Sequence, residues 1–299
     1  MSLNYDLHSH STASDGSLTP ARLVALAAER GVDVLALTDH DSVAGLPEAR
    51  ATAAEHPLEL VNGIELSVTW EGQTIHVVGL GIDPETPELV AGLERMREFR
   101  VWRGEEMARR LEKAGIPGAY DGARAYAHGP NLSRTHFAQF LVAAGHARDV
   151  RRVFKRFMKP GKPGHVPGQW ASLAEAMGWI RAAGGEAVIA HPARYGLTRR
   201  KLLRLFGEFR ELGGDAIEVV SGSHDPDGTA RMAAEARSLG FRASRGSDYH
   251  GPEKSWAELG RVDPLPSGCT PIWEAWEAVD GRPGDGSLVM HRNEPCPQP

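Results

Sequence analysis

An α/β architecture interrupted by one helical insertion is what this sequence predicts, and three features carry the prediction. Short apolar runs alternate with amphipathic helical stretches along most of the chain. Histidines and acidic residues recur at the carboxyl ends of those runs, where α/β sheets and barrels gather their sites. Between roughly residues 90 and 165 the strands stop, helical patterns follow one another, and the Gly/Pro-rich Pro160-Gly161-Lys162-Pro163-Gly164 closes the interval.

The first strand is expected to end at Asp6-Leu7-His8-Ser9-His10. Alternate residues of a strand share a face, so Asp6, His8 and His10 should project together. Residues 11–16 read as a loop, and Thr19-Pro20 supplies a cap and a first-turn proline for a helix with Leu23, Leu26 and Ala27 on its apolar side. Residues 32–37 form a buried parallel strand that ends in Thr38-Asp39-His40-Asp41. A helix at 46–54 leads to a strand at 58–64 ending in Gly63-Ile64-Glu65, and a hairpin then joins 67–70 to 73–80 through Glu71-Gly72, with His76 in its second arm. Within the insertion, 102–113, 133–144 and 149–158 read as helices. The α/β rhythm resumes with a helix at 173–183, a strand at 186–190 running into His191-Pro192, a helix at 198–212, a strand at 216–220, a helix at 228–239, and a strand at 241–245 that ends in Gly246-Ser247-Asp248-Tyr249-His250. The Pro/Gly-rich tail holds one short helical candidate at 272–279.

Composition narrows the chemistry. Cys269 and Cys296 lie far apart with no C-x-x-C spacing, which argues against a disulfide framework, a thiolate zinc site and a redox motif. No run approaches the roughly 20 apolar residues of a membrane span and no signal pattern opens the chain, so the expected compartment is the cytoplasm. The net charge of −5 hides a segregation: residues 95–165 carry 16 Lys and Arg against 6 Asp and Glu, a net of +10, leaving −15 on the rest. A basic cap over an anionic substrate is the functional reading of that asymmetry.

Of 13 histidines, His8, His10, His40, His76, His191 and His250 fall in or just after expected strands, with Asp15, Glu65 and Asp248 beside them. His56, His128, His146, His165, His224 and His291 have no such placement and are read as structural or solvent-exposed. Imidazoles and carboxylates without thiolate suit a catalytic, multinuclear site for Mn²⁺, Fe²⁺ or Zn²⁺. Three such ions would keep a positive excess over three carboxylates, which attracts phosphate; a peptide or ring-amide hydrolase could use similar ligands, and the basic insertion favours the phosphoester.

Taken together, Asp6-Leu7-His8-Ser9-His10-Ser11, Ser14-Asp15-Gly16, Thr38-Asp39-His40, Gly63-Ile64-Glu65, His76, Ala190-His191-Pro192 and Gly246-Ser247-Asp248-Tyr249-His250 make the chain resemble the polymerase-and-histidinol-phosphatase (PHP) family. The resemblance implies a distorted (β/α)7 barrel, at 1–89 and 166–299, with the inserted basic helical domain at 90–165 capping the substrate. It implies three divalent ions, Mn²⁺ before Fe²⁺ or Zn²⁺: one on His8, His10, Glu65 and Asp248, a second on Asp15, His40 and His250, a third on His76 and His191 with Glu65 bridging. Asp6 and Asp39 are expected to support these ligands. The implied reaction is in-line attack on phosphorus by a metal-bridging hydroxide held by Glu65, Asp15, His40 and Asp248.

Within that family the Ser-Asp-Gly motif and the helical insertion look most like the nucleotide phosphatase and RNA-processing branch, whose members remove the 3′-phosphate of nucleoside 3′,5′-bisphosphates or degrade short RNA from the 5′ end. Trp102, Arg103, Arg134 and His136 are the insertion's candidates for substrate binding, while Arg100, Arg109 and Arg110 are expected to be solvated. The expected partner is a small nucleotide, with short RNA as the alternative and no DNA track, no membrane and no oligomeric state specified. Histidinol phosphate phosphatase and a non-catalytic metal-binding module are the remaining alternatives.

Overall fold

Apolar runs of β-branched and aliphatic residues, buried along most of their length, form the seven strands of a single sheet in the computed structural model, which describes residues 3–127, 132–253 and 257–277. His128, His291 and Cys296 lie outside the described residues. The strands follow chain order: β1 (Tyr5–Asp6), β2 (Val34–Leu37), β3 (Glu59–Trp70), β4 (Gln73–Leu80), β5 (Glu186–Ile189), β6 (Ala216–Ser221) and β7 (Arg242–Gly246). Neighbours are parallel except that β4 runs antiparallel to both β3 and β5. β1 and β7 meet to close the sheet into a barrel: Leu7 N donates to Arg245 O at 3.0 Å and Asp248 N to His8 O at 2.9 Å. Gly246 permits this seam, because a Cβ there would stand 2.3 Å from the Cβ of His8.

Alternation sorts the strand residues into two layers. Tyr5, Leu7, Val34, Ala36, Val61, Val78, Leu80, Val188 and Ala216 pack together in one cluster, while Leu35, Leu37 and Leu60 face the helices α1 (Pro20–Glu29) and α2 (Leu46–Ala53). The expected strand at 58–64 and the first hairpin arm at 67–70 prove to be one strand, β3. Its alternation continues unbroken through Glu65, with Ile64, Leu66, Val68 and Trp70 all buried in the same cluster. The hairpin turn is Glu71-Gly72, with φ of 46° and 75°, the two left-handed residues that a tight twisted hairpin needs.

The helix expected at 102–113 begins earlier than its sequence suggests. α3 (Pro87–Lys113) is a 27-residue helix whose apolar stripe runs from Leu89, Leu93 and Met96 to Met107 and Leu111. Its first half packs on α7 (Leu173–Ala182) through Gly92, where a Cβ would lie 2.5 Å from the Trp179 ring. Its second half joins a separate hydrophobic cluster with α4 (Ala119–Arg124), α5 (Arg134–Ala143), α6 (Val150–Val153) and the π-helical turn Phe154–Met158. The sequence pattern did not suggest α4. The barrel is completed by α8 (Arg199–Glu211), α9 (Pro226–Leu239) and α10 (Glu274–Glu277). Among the described residues no helix is long and apolar enough to cross a membrane.

Where α3 crosses from barrel to cap, Arg100 is buried and not solvated as its sequence context suggested. Its Nε donates to Asp41 at 2.8 Å, its terminal nitrogen pairs with the same carboxylate and with Ser67 Oγ, and its guanidinium lies 4.8 Å over the Trp170 ring. Asp41 Oδ1 also accepts from Ser67 N at 2.7 Å. Arg100→Ala, which strands a buried carboxylate, is expected to lower unfolding free energy by about 3 kcal/mol in urea titrations. A loss below about 1 kcal/mol would place the pair among surface bridges. Arg109 and Arg110 do pair on the surface, both with Glu106.

Candidate functional site

The barrel topology brings nine polar side chains to one end. Because β4 runs backwards, its first half lies beside the second half of β3, pairing Ser67 with His76 and Glu65 with Val78. His40, just past β2, bridges to Glu65 on the other side. His8 and His10 follow β1, His191 follows β5, and Asp248 and His250 follow β7. His191 and Asp248 have φ of 31° and 53°, a left-handed conformation that costs an ordinary residue about 1–3 kcal/mol and clusters at functional sites.

Glu65 is the hub. Its Oε2 lies 3.3, 3.2 and 2.9 Å from nitrogens of His8, His10 and His40, and its Oε1 lies 2.8 and 3.1 Å from nitrogens of His76 and His191. Asp248 Oδ1 stands 3.6, 3.3 and 3.5 Å from His8, His10 and His250, while Asp15 Oδ1 stands 3.3 Å from His250 and 3.9 Å from His40. Four overlapping groups result, each with ligand-type atoms within 4.8 Å of one another: His10, Asp15, His40 and His250; His8, His10 and Asp248; His40, Glu65 and His76; His8, Glu65 and His191. All nine sequence candidates are in them. The grouping differs from the expected one in that His76 shares a group with His40, and His191 with His8.

These distances are close, yet many lack hydrogen-bond alignment. His40 Nδ1 and Glu65 Oε2 are 2.9 Å apart and buried, and neither has a hydrogen-bond partner among the described residues; His10 Nδ1 and His191 Nδ1 are likewise buried without one. Donor atoms that converge without bonding one another fit shared cations, and a thiolate-free set of imidazoles and carboxylates is able to hold divalent first-row ions. Burial alone would raise the Glu65 carboxyl, but His40, His76 and His8 hold it well below the usual range. Burial likewise opposes charge on His10, yet the Asp248 and Glu65 carboxylates beside it push its pKa up to about 10.

Residues behind the cluster orient it. Glu218 was missed in the sequence, although a lone acid inside the apolar Ala216–Ser221 run was a usable signal. Its Oε1 lies 2.6 Å from His8 Nδ1, and its Oε2 accepts from His191 N at 2.6 Å. The Tyr195 hydroxyl, also missed, accepts from His76 N and donates to Ala190 O, both at 2.8 Å. Asp39 accepts from Ser11 N, Ser11 Oγ and Ser14 Oγ, fixing the loop that presents Asp15. Asp6 does not project with His8 and His10; β1 ends there, and its carboxylate instead accepts from Ser247 N and Gly260 N at 2.8 Å, anchoring the segment that presents Asp248. Glu218→Gln is expected to weaken divalent-metal affinity by about 10- to 100-fold, as losses behind metal ligands do, measured by Mn²⁺ titration. Unchanged affinity would leave Glu218 with packing alone.

Arginines flank the cluster. Arg194, a third residue missed in the sequence, lies three positions after His191 with its NH1 3.3 Å from Asp248 Oδ2. Arg103 is buried; it donates to Val166 O and lies 5.2 Å over the Trp170 ring. Burial, with Arg134 and Arg100 nearby, pushes its pKa down to about 9. Arg134 presents exposed area yet is closely surrounded by protein, and burial together with Arg194 and Arg100 lowers its pKa as well. Like charges held this close favour an anion between them. His136 is buried, with Nδ1 accepting from Ser133 N in the capping box of α5, so that atom is committed to the backbone. Trp102 is about half exposed and stacks on Phe99 at 5.5 Å.

Comparison with known proteins places this geometry among relatives. A family model described as the PHP domain matches residues 6–155. The chain is 49% identical over 283 residues to the 3′,5′-nucleoside bisphosphate phosphatase of Chromobacterium violaceum, covering 94% of this chain and 99% of that one. It is 46% identical over 275 residues to the 5′-3′ exoribonuclease Rnm of Escherichia coli, covering 91% and 94%. A solved structure of an amidohydrolase from Chromobacterium violaceum with bound sulfate superposes with a TM-score of 0.88 at 49% identity, covering 92% of this chain and 96% of that one. A candidate metal-dependent phosphoesterase from Bifidobacterium adolescentis superposes at 0.77 with 26% identity, covering 93% and 96%.

Proposed function

The chain belongs to the PHP domain family, and from that membership we propose that it is a metal-dependent phosphoesterase that removes the 3′-phosphate of nucleoside 3′,5′-bisphosphates to leave nucleoside 5′-monophosphates. The observation that carries the reading is the juxtaposition of nine metal-ligating side chains with Arg194, Arg134 and Arg103. A peptide or ring amide needs no such array of guanidinium groups; a substrate with two phosphates does.

In this reading His8, His10, Asp15, His40, Glu65, His76, His191, Asp248 and His250 would together hold three divalent ions, Mn²⁺ being the proposed metal. Ions bound there supply activated water and neutralise charge on the reacting phosphoryl group. Glu218 and Tyr195 keep the imidazoles in place. Arg103 and Arg134 bind the 5′-phosphate, so that remote binding energy aligns the 3′-phosphate for displacement. Arg194, tied to Asp248, is placed to hold an oxygen of the reacting group. Nucleotide substrates and unpaired cysteine spacing make the cytoplasm the proposed compartment.

A second reading, 5′-3′ hydrolysis of short RNA, is favoured by the similarity to Rnm and by the basic cap. Products decide between the two. With Mn²⁺ added, adenosine 3′,5′-bisphosphate is expected to yield 5′-AMP and phosphate, with AMP left intact. Mononucleotide release from a 5′-phosphorylated RNA, with little turnover of the bisphosphate, would replace the first reading by the second.

A further inference from the structure

The phosphate pocket accounts for Arg103, Arg134 and Arg194 but leaves the largest charge imbalance of the cap unused. From residue 148 to 162 the chain carries seven Lys and Arg against one acid, Asp149, and all seven cations are exposed. They lie on α6, the π-helical turn after it and the flanking loops. Among the described residues Arg152 has a carboxylate partner, Asp149 at 3.6 Å, and the other six have none within ion-pair distance. Arg151 and Lys155, and likewise Arg152 and Arg156, stand about one helical turn apart, where like charges repel and cost stability. A fold does not need this arrangement; a polyanion does.

The patch is continuous with the site. Arg194 joins Asp248, Arg134 lies close to Arg194, and the Arg134 guanidinium lies 5.7 Å over the ring of Phe154, the first residue of the π-helical turn. Phe154 is partly exposed, so an aromatic face sits among the cations, the combination that holds unpaired bases and their phosphates. We propose that this outer face of the cap is an exosite for single-stranded RNA, gripping the backbone downstream of a 5′-terminal nucleotide bound at the metal centre. The proposal rests on the nucleotide phosphoesterase reading of that centre. It makes chain length a determinant of affinity that the metal ligands do not set.

The test uses the full, manganese-loaded chain with Arg151→Glu and Lys155→Glu combined. Binding of a 5′-phosphorylated, 2′-O-methyl 12-mer, verified intact on a denaturing gel after each titration, is followed by fluorescence anisotropy beside turnover of adenosine 3′,5′-bisphosphate. The double variant should bind the 12-mer at least tenfold more weakly, turn over the bisphosphate within twofold of the parent, and show a log K against log salt slope shallower by about 1.4, as expected for two lost phosphate contacts. If bisphosphate turnover falls too, the neutral pair Arg151→Gln and Lys155→Gln repeats the comparison, and the same weakening is expected. Unchanged 12-mer binding, a parent that holds a dinucleotide as tightly as the 12-mer, or stronger retention on phosphatidylserine vesicles than on RNA would each overturn the exosite. A parent that binds the 12-mer through these residues but hydrolyses neither substrate would keep the exosite and reject the proposed chemistry.

Discussion

Glu65→Gln is expected to lower kcat/KM on adenosine 3′,5′-bisphosphate by about 10³- to 10⁴-fold, the several kcal/mol that metal ions contribute to charge stabilisation. The substitution preserves shape and removes one charge at the point where His8, His10, His40, His76 and His191 all approach within 3.3 Å. An amide offers one acceptor where the carboxylate offers two, and its NH₂ would point lone-pair-free at imidazoles or ions. Metal content per chain should fall alongside activity, because two of the four ligand groups contain Glu65. Elemental analysis of the purified variant reads this independently of turnover. Activity within tenfold of the parent at unchanged metal content would remove Glu65 from the hub.

The barrel was legible in the sequence because strand ends carry their own signal. A buried parallel strand is apolar throughout, so a His or Asp immediately after it stands out, and His40, His191 and Asp248 were visible in this way. Boundaries were less legible wherever tertiary contacts overrode local pattern. β3 passes through Glu65 without a break because that acid faces imidazoles contributed by five other positions, none nearer than His76. α3 extends back to Pro87 because Gly92 nests under Trp179, 87 residues away in sequence. Arg100 looked like one more cation of a charged helix; its burial depends on Asp41 and Trp170, which the local pattern does not reveal. Glu218 carried a readable mark and Arg194 a weaker one, whereas Tyr195 acts through a hydroxyl on two backbone groups, a role with no local signature.

The Arg100 junction also links cap and centre. Asp41, which Arg100 holds, follows His40 directly, and its backbone N donates to Glu65 O at 3.0 Å. A shift of α3 would therefore be felt at two of the residues that approach one another in the cluster. Arg100 thereby ties α3 to the segments that carry His40 and Glu65.

Arg134→Ala is expected to reduce kcat/KM on adenosine 3′,5′-bisphosphate by about 100-fold, the worth of a charge-assisted hydrogen bond, while changing p-nitrophenyl phosphate turnover by no more than about threefold. The contrast follows from where binding energy is used. An aryl phosphate presents one phosphoryl group to the metal ligands and nothing to the cap, so losing Arg134 costs it little. The bisphosphate uses its second phosphate to align the first, and loses that alignment with the guanidinium. Arg134 is a cleaner probe than Arg103, whose contacts with Val166 O and Trp170 also hold the cap together. Arg134→Lys should recover part of the loss, since an ammonium keeps the charge but not the planar fork. Equal losses on both substrates would show that Arg134 supports the fold of the cap, and the second phosphate would then have to be held by Arg194 or Arg103.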